Sequence, residues 1–158
     1  MLNVETRYAI DPETAKALDT KGIRDHFHAS GLFKEGEINL VYTHYDRLIL
    51  GGAVPDRGEL VLDQVKEAGT ASLLDRRELG ILNIGETGTV KVGGQSYEVG
   101  KGDVLYVGMG SGPVTFSGPA RFYILSAPAH RTCPTKLITA KDARRVELGS
   151  AETSNERV

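Results

Sequence analysis

The sequence predicts an all-β domain, a sandwich or barrel, with short helices at its N-terminal end. Three observations point there. Between positions 78 and 127, short apolar segments alternate with glycine turns at regular spacing. From Glu37 onward the hydrophobic period is two. Glycine occurs 19 times in 158 residues, about 12% against a usual level near 7%, as a chain with many tight turns requires. The length fits one domain with a core of its own.

Asp11 before Pro12 reads as an N-cap with proline at the first helical position, and Ala15, Ala17 and Leu18 continue a short helix. A second helix is expected from Thr20, with Ile23 and Phe27 four apart on one face and an end near Gly31. "INLVYTHYDRLILGG" gives a strand, a polar turn around positions 44–46 and a second strand closed by Gly51, Gly52 and Pro55. "GELVLDQVKEAG" suits either a strand or a short helix. Further strands are expected at 79–84, 89–92, 96–99, 104–107, 113–116 and 120–126. Val90, Val92, Tyr97, Val99, Leu105, Val107, Phe116, Phe122 and Ile124 are the expected barrel core. After Pro134 the chain turns polar. The expected organisation is a helical segment at 1–36, a barrel at 37–139 and a polar linker at 140–158.

Charged residues make up 25% of the chain and the net charge is -2, so no basic excess offers nucleic acid or an anionic membrane a surface. No apolar run approaches the roughly 20 residues that span a bilayer. Residues 1–7 lack a charged-then-apolar leader, and the expected location is the cytoplasm. The single cysteine, Cys133, can form neither an internal disulfide nor a multi-cysteine metal cage.

"GTVKVGGQSYEVGKGDVLYVG" resembles the barrel core of the cupins, the jelly-roll or double-stranded β-helix proteins. Four further stretches, "VYTHYDRLILGG", "LLDRRELGILNIGETG", "SAPAHRTCPTK" and "LGSAETSN", narrow the resemblance by their order and spacing. Together they look like the N-terminal part of the 5-keto-4-deoxyuronate isomerases, also called 4-deoxy-L-threo-5-hexosulose-uronate ketol-isomerases. The resemblance implies a two-barrel enzyme of pectin and uronate breakdown, zinc-dependent and hexameric. Its reaction interconverts 5-dehydro-4-deoxy-D-glucuronate and 3-deoxy-D-glycero-2,5-hexodiulosonate. In that family three histidines and a glutamate hold zinc in the second barrel, and none of those ligands maps onto a position of this chain. The resemblance further implies a keto-uronate substrate and, as partners, a second cupin half or a further subunit.

The residues themselves give the same answer on metal. Where metal-binding cupins carry a His-x-His pair and a glutamate, this chain reads Leu73-Leu74-Asp75-Arg76-Arg77-Glu78, and only Glu78 is of the right type. One carboxylate does not hold zinc, which takes about four ligands, so no metal is expected in this barrel. His26 and His28 are two apart on a predicted helix and diverge. His44 is either a turn histidine bonded to local backbone or a ligand steadied by Asp46 or Arg47. His130 and Cys133, spaced His-x-x-Cys, suit a structural loop, a reactive pair, or packing against a second barrel. If strand geometry holds through 76–78, Arg76 and Glu78 share the inward face and pair where other cupins hold metal; a solvated rim is the alternative. Glycine strings such as "GGQSYEVGKGD" are explained by turns, with no Walker pair to cradle phosphate.

A ketol isomerisation needs a general base, a cation for the enediolate oxygens and cationic side chains for the substrate carboxylate. Only the last of these is expected here, from Arg47, Arg76, Arg77, Arg131 and Lys136, with Glu78 and His130 as neighbours at a substrate or subunit contact. Three readings follow: half of the isomerase and inactive alone, a subunit completed by a separate metal-bearing chain, or a stand-alone module that binds sugar acids or serves assembly. A barrel that packs against a second barrel should expose an apolar patch when alone, and a dimer or higher assembly is expected.

Overall fold

A computed structural model describes residues 1–144, 146 and 152. Strand β1 (Leu2–Arg7) is followed by helices α1 (Pro12–Lys16) and α2 (Thr20–Phe27), then β2 (Glu37–Thr43), β3 (Ile49–Val54) and β4 (Leu60–Leu62). Two 3-10 turns, Lys66–Ala68 and Leu73–Asp75, precede β5 (Arg77–Asn83), β6 (Gly88–Val92), β7 (Gln95–Val99) and β8 (Val104–Val107). The described strands end with β9 (Val114–Ser117), β10 (Phe122–Pro128) and β11 (Lys136–Ile138).

One sheet has the order β1-β2-β3-β10-β5-β8-β11 and the other β4-β9-β6-β7. The eight strands β3 to β10 thus pass back and forth between two four-stranded layers, β3-β10-β5-β8 and β4-β9-β6-β7. That is the cupin-like jelly roll. Alternation puts Leu79, Ile81, Val90, Leu105, Phe116, Phe122 and Ile124 between the layers, each essentially inaccessible to solvent. The Phe116 and Phe122 rings meet at a centroid distance of 5.3 Å. Of the nine expected core residues eight are buried, and Tyr97 packs half-buried against them.

The helix starts follow from their caps. The Asp11 carboxylate accepts from the backbone N–H groups of Glu13 and Thr14, and that of Asp19 from Gly22 N–H. α2 stops at Phe27, earlier than expected, because His28 adopts an extended backbone. The ambiguous segment after Gly58 is both things, strand β4 and then a 3-10 turn.

Two strands were not expected. β1 lies within the segment read as helical and pairs in parallel with β2, from Leu2 opposite Ile38 to Arg7 opposite Thr43. β11 lies past Pro134 and pairs with β8. The stretch "LGSAETSN" and most of the expected linker fall outside the described residues.

Candidate functional site

Sheet registers gather the candidate residues at one end of the barrel. β5 begins at Arg77, which lies opposite Pro128 at the end of β10, and β8 ends with Val107 opposite Leu79. β11 begins there too, with Lys136 opposite Tyr106. β3 starts at Ile49, opposite Ser126, so the preceding hairpin turn with Arg47 closes the same end. Arg47, Arg76, Arg77, Glu78, His130, Arg131 and Lys136 therefore all lie at this end, and of them Glu78, His130 and Arg131 share one recess. The opposite end has a recess of about 410 Å³ lined by Glu35, Asp56, Glu86 and Arg121, in which acids outnumber the one cation.

The loop after β10 turns back across the end of β8. It passes so close to Gly108 that a Cβ there would strike the Cys133 carbonyl, so glycine is required at that crossing. Ala129 N–H donates to the Arg76 carbonyl at 3.0 Å, and Gly110 N–H to the Leu74 carbonyl at 2.7 Å. Under this loop lies a recess of about 560 Å³ lined by Glu78, Tyr106, His130, Arg131 and Cys133, with Pro128 and Ala129. The Tyr106 hydroxyl donates to Glu78 Oε2 at 2.9 Å. Partial burial, then this hydrogen bond and the nearby Cys133, push the Tyr106 phenol from 10 up to about 12.

A phenol whose folded pKa lies above its unfolded value contributes stability that is complete below pH 10 and lost as pH rises through about 12. Titration of phenolate absorbance should therefore show a late-titrating tyrosine that disappears in Tyr106→Phe. Glu78→Gln should bring that titration back toward 10. A Tyr106 that titrates with the exposed tyrosines contradicts the geometry.

The expected Arg76 to Glu78 pair does not form. Arg76 caps the 3-10 turn with ψ near 18°, so strand alternation starts only at Arg77. Arg76 is exposed, and the inward set is Arg77, Leu79, Ile81 and Asn83. Glu78 faces the other way, into the recess outside the barrel. The buried charge is Arg77, 6% exposed. Its Nε donates to Ser126 Oγ at 3.0 Å, and one terminal nitrogen donates to the Ser126 and Arg47 carbonyls. Burial lowers its pKa; Tyr42 opposes that shift and Arg47 adds to it. Among the described residues no carboxylate pairs with Arg77.

The histidines are spread apart. His26 lies on α2 and His28 caps it. The His44 ring stacks on Tyr8 at 4.6 Å and meets Tyr42 edge-on at 5.4 Å, while its backbone N–H donates to the Arg7 carbonyl. His130 and Cys133 line the recess with Glu78. Among the described residues no three His, Cys, Asp or Glu side chains converge as a metal site would need. The donor set of the described residues does not fit zinc.

Asn83 and Tyr106 were not singled out from the sequence, although the alternation of β5 carries a signal for the first. "RELGILN" places Asn83 on the inward face, where a polar residue must find partners.

An all-β jelly roll with a mixed-charge recess outside one end of its barrel defines the class. The sequence pattern of the KduI/IolB family matches residues 26–158, and the chain belongs to that family. It is 61% identical over 157 residues to a 4-deoxy-L-threo-5-hexosulose-uronate ketol-isomerase of Cereibacter sphaeroides strain ATCC 17029, covering 99% of this chain and 57% of that protein. It is 58% identical to the protein of the same name in Agrobacterium fabrum, covering the same shares. A third, ketol-isomerase 1 of Rhizobium meliloti, is 49% identical, covering 99% of this chain and 58% of that protein. The chain thus spans somewhat more than half the length of these relatives. Among solved structures, a putative glyoxylate-induced protein from Pseudomonas aeruginosa is 11% identical, covering 66% of this chain and 45% of that one, with a TM-score of 0.43. A cupin from Bacteroides fragilis is also 11% identical, covering 63% and 70%, with a TM-score of 0.34. At that level these two bear on neither fold nor function. No helix among the described residues is long and apolar enough to cross a membrane.

Proposed function

We propose that this chain supplies the N-terminal, metal-free half of a ketol-isomerase acting on 5-dehydro-4-deoxy-D-glucuronate in uronate and pectin breakdown. The observation that carries the reading is 61% identity sustained along 99% of the chain to a protein of that name. The metal is assigned to a segment these residues do not contain, since no described cluster fits zinc. What this half can offer is positive charge. Arg131 lines the recess and suits the carboxylate of a sugar acid, Glu78 can accept from a hydroxyl, and Arg47, Arg76 and Lys136 add positive charge at the same end of the barrel. Arg77 is turned inward and committed to backbone and Ser126, so it is not among the substrate cations.

The test is turnover of the keto-uronate by the purified chain, with zinc, alone and mixed with the remaining segment of the Cereibacter relative. The expected result is activity only in the mixture. Arg131→Ala should then raise KM about tenfold with little change in kcat, the pattern for lost binding equal in ground and transition states. Zinc-dependent turnover by the chain alone, or a mixture that stays inactive, contradicts the proposal. Keto-uronate binding without turnover in either case favours a sugar-acid-binding module.

A further inference from the structure

A buried cation is stable only where its charge is compensated, and Arg77 has no counter-ion. It is 6% exposed, and each bond it makes goes to a neutral acceptor. Those bonds use Nε and one terminal nitrogen. The other, Nη1, donates to nothing among the described residues. Nor is it sealed in, because the buried side-chain atoms without a partner among the described residues are Asp63 Oδ1 and Ser72 Oγ. Nη1 is thus the part of Arg77 that still reaches solvent.

Two further donors stand beside it, since Arg77 lies in the fields of both Tyr42 and Arg47. Tyr42 packs half-buried against the core, with the His44 ring braced edge-on against it at 5.4 Å. Its hydroxyl has no hydrogen-bond partner among the described residues, and neither has the exposed Arg47 guanidinium. No ion pair among the described residues includes Arg47 or Arg77, and none joins Asp46 to either. The arrangement is unfavourable in two ways. It sets a like charge beside a buried cation, and it holds Arg47 at a φ of 55°, a region arginine rarely adopts. Strain and uncompensated charge held together in one place mark a site where a ligand offsets them.

We propose that the Arg47 guanidinium, Arg77 Nη1 and the Tyr42 hydroxyl form a binding site for a small oxyanion, the carboxylate or phosphate group of a ligand. Two guanidinium groups supply charge-assisted donors and the phenol a neutral one, a set suited to oxygens that share a negative charge. Arg77 holds the Arg47 carbonyl and so fixes the turn that carries the outer cation. The site is on the inward side of β5, apart from the recess of Glu78 and Arg131 outside the barrel. It does not depend on the enzymatic reading.

An anion that binds only the folded chain raises its stability. Thermal unfolding of the 158-residue chain is followed in an amine buffer at constant ionic strength, with chloride replaced stepwise by inorganic phosphate or by acetate. The expected result is a saturable rise in the unfolding midpoint, half complete near about 1 mM. A larger response to phosphate assigns the site to a phosphoryl group, and a larger response to acetate to a carboxylate. Arg47→Gln should raise the apparent Kd at least about tenfold and Tyr42→Phe about threefold, while Arg131→Gln, in the recess, leaves this response as it is. Arg47→Gly separates ligand from strain. In chloride it should unfold at a higher temperature than wild type, because glycine accepts the positive φ and the like charge is gone, and it should not respond to either anion. A midpoint that follows neither anion, or a response that survives Arg47→Gln, overturns the proposal. So does a response lost in Arg131→Gln instead, or an Arg47→Gly chain less stable than wild type in chloride.

Discussion

Asn83→Leu is expected to destabilise the fold by about 4 kcal/mol, read as a lower urea midpoint with an unchanged m-value. Asn83 is fully buried at the end of β5. Its Nδ2 donates to the Glu86 carbonyl at 2.7 Å and the Val99 carbonyl at 2.8 Å, and its Oδ1 accepts from Gly85 N–H at 2.9 Å. A more distant contact, 3.4 Å, comes from Arg121 N–H. One amide therefore fastens the turn after β5, the end of β7 and the entry to β10. Leucine matches its size and supplies nothing to those groups, and each buried polar group left without a partner costs about 1–3 kcal/mol. Asn83→Asp makes a sharper control. The carboxylate faces two carbonyl oxygens, so its pKa is raised in the fold, and stabilisation by the protonated form is lost as pH rises through that value. Its deficit against wild type should be smaller at about pH 4 than at about pH 7. Equal deficits at both would mean that Nδ2 is not the donor described.

The local features of the fold were legible in the sequence because they depend on neighbours in the chain. Gly93 and Gly94 take positive φ between β6 and β7, as the two-glycine turn required, and β8 occupies the expected four residues. Asp11 and Pro12 start a helix wherever they occur in that order. What escaped notice is non-local. β1 is held by a parallel partner more than thirty residues away, and "LNVETR" is too weakly alternating to announce itself. β11 has three residues and exists because β8 offers it an edge. The recess was invisible for the same reason: Glu78, Tyr106 and Cys133 meet only because the loop after β10 crosses Gly108. The error at Arg76 is more instructive. Its two-residue spacing from Glu78 was read as one strand face, but a 3-10 turn occupies the preceding residues, and the alternation cannot be carried through it. That reading also turns Glu78 inward, whereas the buried Leu79 and Ile81 fix the inward parity of β5 and put Arg77 inside and Glu78 outside.

Arg77→Ala is accordingly expected to cost about 3 kcal/mol, while Arg76→Ala stays within about 0.5 kcal/mol, measured by urea unfolding of the two variants side by side. Arg77 spans three parts of the structure: β5, where it begins; β10, through the hydroxyl and carbonyl of Ser126; and the β2–β3 hairpin, through the carbonyl of Arg47. The last contact bears on a strained turn, since Asp46 and Arg47 both hold positive φ, at 51° and 55°, without being glycine. Removing the guanidinium frees that turn and leaves acceptors at the barrel end without their donor. The desolvation cost of a buried cation opposes this, so Arg77→Met, which keeps the packed stem and drops the charge, should cost less than alanine. Arg77→Lys separates charge from geometry. Its single ammonium cannot reproduce a planar fork directed at two carbonyls and a hydroxyl, so it should recover only part of the loss. If Arg77→Ala and Arg76→Ala cost the same, the inward assignment of β5 is wrong, and with it the outward placement of Glu78.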